Sequence, residues 1–143
     1  MTKPIEVKIS NKWNIILPEH RARPDWDTWE CERLQSMSEN LSKGDRIVYV
    51  GSEEGDMCGL CSMWGADIVM IEPNDLVWPN VKFIWEHNNL PTPQTFSGFA
   101  GNETSVDAHI INGFPPSANG EVIGNHGFKT LKEYPEIKRI KID

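Results

Sequence analysis

Apolar and β-branched residues come in short bursts along the chain, and their spacing changes from one burst to the next. Ile5 to Leu17 alternates loosely, IEVKI and then WNIIL, around Ser10-Asn11-Lys12, which predicts a β-hairpin. Pro18 to Pro24, PEHRARP, is polar and reads as a connector. Trp26, Trp29, Arg33, Leu34, Met37 and Leu41 recur near helical spacing, so a helix is predicted over Trp26 to Leu41 with Asp25 as its cap. Arg46 to Val50 and Asp67 to Ile71 are β-branched runs and predict two strands. Between them the glycine turn Gly51-Ser52-Glu53-Glu54-Gly55 leads into a helix over Asp56 to Trp64, with Gly65 as its C-terminal cap. A second crossover helix is predicted over Asp75 to Asn89, with Pro79 in its first turn. Gln94 to Ala100 predicts a weaker strand and Thr130 to Tyr134 a short helix. Ile137 to Ile142, IKRIKI, predicts a last strand. Thr104 to Gly127 has no period and is rich in Gly, Pro, Asn and Ser, the character of a binding loop.

Strand, glycine turn, helix, strand and then an acid is the first half of a nucleotide-binding βαβ unit. The expected fold class is therefore α/β: a Rossmann-like three-layer sheet of about four parallel strands. Residues 1–24 form a hairpin extension and residues 25–143 the binding domain.

Composition narrows the function. The chain has 143 residues, 14 basic and 21 acidic, and a net charge of −7. That balance disfavours binding to a phosphate backbone, so nucleic acid is not expected as a partner. No run is long and apolar enough to span a bilayer, and the N-terminus has no signal-peptide core. A cytoplasmic protein without membrane partners is the expectation. Three cysteines, an odd number, make no disulfide framework. Cys58-Gly59-Leu60-Cys61 reads as a redox pair or, better, as two small residues packing a helix on the sheet. No metal is expected, because there is no second cysteine pair and His20, His87, His109 and His126 share no ligand spacing.

The glycine turn sharpens the ligand class. Glu72 stands 21 positions after Gly51, where a Rossmann-type fold sets a carboxylate on ribose hydroxyls. Glu53 and Glu54 would repel a pyrophosphate, which argues against a nicotinamide-dependent oxidoreductase. A cationic, phosphate-free ligand tolerates them, and S-adenosylmethionine (SAM) is one. Its carboxylate would be taken by backbone N–H groups near Gly51. The plain alternative is a strand-turn-helix whose glycines serve only geometry.

The stretches VYVGSEEGD, WGADIVMIEPN, FIWEHNNL and RIKID resemble the FkbM-type SAM-dependent methyltransferases. The resemblance covers about Trp29 to Asp143, with 103–125 matching poorly. It implies methyl transfer to an oxygen of a small molecule or sugar, with SAM as cofactor and a small-molecule methyl acceptor as partner. It implies that Gly51, Ser52, Glu53 and Gly55 form the SAM turn, that Glu72 takes the ribose, and that Pro73 and Asn74 sit beside the adenosyl part. Asp143 would face the substrate, and Asp143 or His126 would take the acceptor's proton. Two departures stand out. Tyr49 occupies the position, two before the first turn glycine, where the family usually has an acid. The family also continues with further strands, so a natural short form or a fragment is expected, completed by homo-oligomerisation through an exposed sheet edge. A non-catalytic SAM-binding or assembly module is the alternative function.

Overall fold

The computed structural model describes residues 2–124 and 138–142. The chain opens with an antiparallel hairpin, β1 (Pro4–Ile9) and β2 (Trp13–Pro18), in which Ile9 faces Trp13. A three-residue loop, Ser10 to Lys12, turns it: Ser10 and Asn11 are both left-handed, at φ 54° and 53°, and Lys12 N donates to Ile9 O at 3.0 Å. The hairpin is no detached flap. Ile9, Ile15 and Leu17 are buried in the same core as the helices. Asn88 ties β2 down, accepting from Ile16 N at 2.8 Å and donating to Ile16 O at 2.8 Å.

Helix α1 (Cys31–Asn40) is shorter than the predicted 26–41 segment. Asp25 does not cap it. Its carboxylate accepts from the Arg23 guanidinium at 2.8 and 2.7 Å, and the helix starts after Glu30, which is left-handed at φ 48°. Trp26 and Trp29 therefore lie in turns rather than on a helix. They stack edge to face with ring centroids 4.8 Å apart.

The central sheet has the order β3-β4-β5-β7, from β3 (Arg46–Val50), β4 (Asp67–Ile71), β5 (Gln94–Phe96) and β7 (Ile111–Asn112). β3, β4 and β5 run parallel and β7 antiparallel, so the sheet is mixed where four parallel strands were expected. The predicted strand 94–100 breaks in two. Gly98 N donates to Glu72 O, and the chain then leaves the sheet. β6 (Phe99–Gly101) pairs with β8 (Arg139–Lys141) in a separate two-stranded ladder. The predicted helix 130–134 lies outside the described residues.

The parallel register sets the layers. Ile47, Tyr49, Ile68 and Met70 turn to one face, against α2 (Asp56–Met63) and α3 (Trp78–His87). Leu60, Trp78, Val81 and Ile84 fill that core. The close approach of α2 to its neighbours needs Gly59: a Cβ there would stand 3.1 Å from both Ile15 Cδ1 and Ile84 Cγ2. The other face holds only a small cluster of Ile71, Phe96 and Ile140, with Ala108 against it. Among the described residues no α-helix packs on that face. The fold is α/β with a mixed sheet. No helix of the described residues is long and apolar enough to cross a membrane.

Candidate functional site

The turn from β3 into α2 is where the sequence placed the chemistry, and the structure puts a cavity of about 390 Å³ beside it. That volume is ordinary for a small-ligand site, roughly 300–1,000 Å³. Gly51, Ser52, Glu53, Glu54, Gly55 and Asp56 line one wall. Arg21, Arg23, Trp29, Glu30 and Arg33, from the connector and α1, line the other.

Backbone geometry fixes the turn. Gly55 has φ +85° and would bring a Cβ to 3.0 Å from Val81 Cγ1, so this position needs a glycine. Glu53 is also left-handed, at φ 49°, which is strained for a residue with a side chain. A hydrogen bond holds it there: Glu53 N donates to Glu72 Oε1 at 3.0 Å. The other Glu72 oxygen accepts from Asn74 N at 2.7 Å. Glu72 thus cross-links the glycine turn to the end of β4. It is buried beside the turn and does not itself line the cavity. Burial pushes its carboxyl up, against the pull of these two hydrogen bonds. Pro73 is half-buried, and Asn74 caps the 3-10 turn Asp75–Val77 by accepting from Leu76 N at 3.1 Å.

The four acids in and around the turn divide into distinct roles. Glu54 is occupied: it accepts from His20 Nε2 at 2.9 Å, from Asn80 Nδ2 at 3.0 Å, and pairs with Arg21 at 2.9 Å. Asp56, at the N-terminus of α2, is also held by the Arg21 guanidinium. Burial pushes the Asp56 carboxyl up, and Arg21 opposes this. On the partner side, burial draws the Arg21 guanidinium down, but Asp56 and Glu54 outweigh it and hold it above its ordinary value. Glu72 serves the backbone. Glu53 alone has a side chain with no hydrogen bond or ion pair among the described residues; it is exposed and lines the cavity. Ser52 Oγ lies buried beside it without a partner among the described residues.

The sequence missed the second wall. His20, Arg21 and Arg23 fall in the polar connector, and Arg33 falls within the helical spacing of 26–41. One signal was present: a connector with two arginines and a histidine, and an acid-rich turn, in the same short chain. Both proposed proton acceptors, His126 and Asp143, lie outside the described residues. Cys58 and Cys61 are fully buried, and burial pushes both thiols up, Cys61 to about 11. They are packing residues, not a thiolate pair. Among the described residues no group of His, Cys, Asp and Glu is arranged to hold a metal ion.

Against known proteins, the chain matches no family model and no curated sequence.

Proposed function

We propose that the chain is a SAM-dependent methyltransferase of the FkbM-like type, with Gly51, Ser52, Glu53, Gly55, Glu72, Pro73 and Asn74 at the cofactor site. One observation carries this reading. The cavity at the β3–α2 turn has a single carboxylate, Glu53, left without a partner among the described residues, beside an unpartnered buried hydroxyl, Ser52. A ligand with a cationic centre answers the carboxylate, which a pyrophosphate would repel, while the hydroxyl can serve either. When bound, SAM supplies an activated methyl carbon. The chain's own work is then to orient the cofactor and to keep the site dry. Glu72 keeps two of its roughly four acceptor positions after serving Glu53 and Asn74, but it stands behind the turn, so ribose hydroxyls reach it only where ligand binding shifts the turn. A small-molecule acceptor would lose its proton to a base such as His126 or Asp143.

Calorimetric titration tests the ligand. SAM or its demethylated product is expected to bind, and NAD is not. Heat on adding NAD, with none on adding SAM, would reverse the assignment.

A second reading, a SAM-binding assembly module, is favoured by the bare side of the sheet. Among the described residues the outer edge of β3 has no strand partner, and Val48 and Val50 are 42% and 54% exposed. Such an edge offers unpaired backbone groups to a second copy. Sedimentation equilibrium across a hundredfold concentration range is expected to show dimers or larger species. A monomer throughout would remove self-association from the picture.

A further inference from the structure

We propose that Arg33 is the residue that takes the carboxylate of the ligand's amino-acid end, opposite Glu53, which takes its ammonium group; this rests on the cofactor reading above. The usual donors for that carboxylate would be backbone N–H groups of the glycine turn. Three of them are already spent inside the protein. Gly51 N donates to Ile71 O at 2.8 Å, Gly55 N to Ser52 O at 2.9 Å, and Glu53 N to Glu72 Oε1. An anionic group in the cavity must find much of its hydrogen bonding elsewhere.

Three guanidinium groups line the cavity, and they are not equivalent. Arg21 is committed to Glu54 and Asp56. Arg23 is engaged fork to fork by Asp25, at 2.8 and 2.7 Å. Arg33 uses one donor on Glu30, at 2.9 Å, and one on the Tyr49 hydroxyl, at 3.2 Å. A guanidinium has five N–H donors. Arg23 and Arg33 each spend two of the five, but Arg23 gives both to one carboxylate and lies over the rings of Trp26 and Trp29. Arg33 divides its two between the neutral Tyr49 hydroxyl and exposed Glu30, a surface pair that exchanges at little cost.

Tyr49 gives the arrangement its direction. Its hydroxyl donates to Met57 Sδ at 2.8 Å, which leaves its lone pairs toward Arg33. Burial pushes that hydroxyl up to about 12, so it stays a neutral anchor at physiological pH. Tyr49 stands where the resembled family usually carries an acid. Here that position fixes a cation, and the free carboxylate stands instead at Glu53. The polarity of the cavity is that of a zwitterion: anion toward Arg33, cation toward Glu53.

The test is calorimetric titration of wild type and Arg33→Gln with SAM and with decarboxylated SAM. Arg33 is half-exposed, so the variant is expected to keep the wild-type melting curve, which circular dichroism checks. Arg33→Gln is expected to lose about 10- to 30-fold in affinity for SAM, the scale of one hydrogen bond to a charged group. Affinity for decarboxylated SAM should change less than threefold. Equal losses for both ligands, or no loss for SAM, would overturn the role of Arg33 while leaving SAM binding in place. A wild type that binds neither ligand would overturn the cofactor reading and this inference with it.

Discussion

Replacing Arg21 with alanine is expected to destabilise the fold by about 3 kcal/mol and to loosen the acidic turn. The guanidinium joins the connector to two carboxylates at the start of α2, and the Asp56 side chain is only 7% exposed. Removing one partner of such a pair strands the other, which costs more than the pair itself contributes. Arg21 also holds the connector in place by its backbone, because Trp26 Nε1 donates to Arg21 O at 2.7 Å. That bond survives truncation of the side chain, so the loss measured is mainly the electrostatic one. The sign of its pH dependence follows from Asp56. Burial already raises its carboxyl, and without Arg21 it would rise further above its unfolded value. A raised carboxyl contributes stability at low pH that is lost as the pH climbs through the folded value. The deficit of Arg21→Ala should therefore be largest at neutral pH and shrink as the pH falls. Urea unfolding at pH 7 and pH 5 measures both. A variant within 1 kcal/mol of wild type at pH 7 would show that the connector is held by packing on Trp26 and not by this clamp. Adding Asp56→Ala to the variant should recover part of the loss, since the stranded charge is then gone.

The sequence made the central βαβ unit legible because its signals are local. Gly51, Gly55 and Gly65 bracket the elements between them, and the β-branched runs at 46–50 and 67–71 coincide with β3 and β4. The hairpin was equally readable from Ser10-Asn11. The failures share a different cause. The five apolar and aromatic positions of 26–41, with Arg33 among them, have helical spacing, yet Trp26 is buried in the main core with Trp29 packed against it, both off the helix. Tertiary contact overrode the period. The 94–100 run reads as one strand, but after Gly98 N donates to Glu72 O the chain leaves β4, and Phe99 N donates instead to Lys138 O, beside β8.

The candidate site divides in the same way. Its glycine turn is a local pattern, and the sequence found it. Its second wall depends on Arg21 reaching Glu54 and Asp56 some 35 positions away, and on Arg33 reaching Tyr49. Pairings of that span leave no trace in periodicity. The sequence also treated Glu53 and Glu54 as equivalents. Only the fold separates them, since His20, Arg21 and Asn80 converge on one and leave the other to the cavity.

Glu72→Ala is expected to cost about 3 kcal/mol of stability before any ligand is considered. The carboxylate satisfies two backbone donors, and the Asn74 bond is fully buried. Alanine leaves both N–H groups without their acceptor, at about 1–3 kcal/mol for each that stays dry. It also frees the strained Glu53 backbone at φ 49° to relax, which would move the one carboxylate that faces the cavity. Glu72→Gln separates charge from geometry. Its carbonyl oxygen can still serve one N–H, while its amide group faces the other donor to donor, so a loss of about 1.5 kcal/mol is expected. The two variants also differ from wild type in pH dependence. Burial raises the Glu72 carboxyl, so in wild type this group contributes stability at low pH that is lost as the pH rises through the folded value. Glutamine has no such titration. The gap between wild type and Glu72→Gln should therefore widen as the pH falls from 7 toward 4. Parallel stability curves would mean that burial does not perturb Glu72. In the ligand experiment, the fraction of Glu72→Ala that remains folded should bind SAM about 1.5–3 kcal/mol more weakly, the scale for hydrogen bonds to a charged group. Unchanged affinity would confine Glu72 to holding the turn and place the ribose elsewhere.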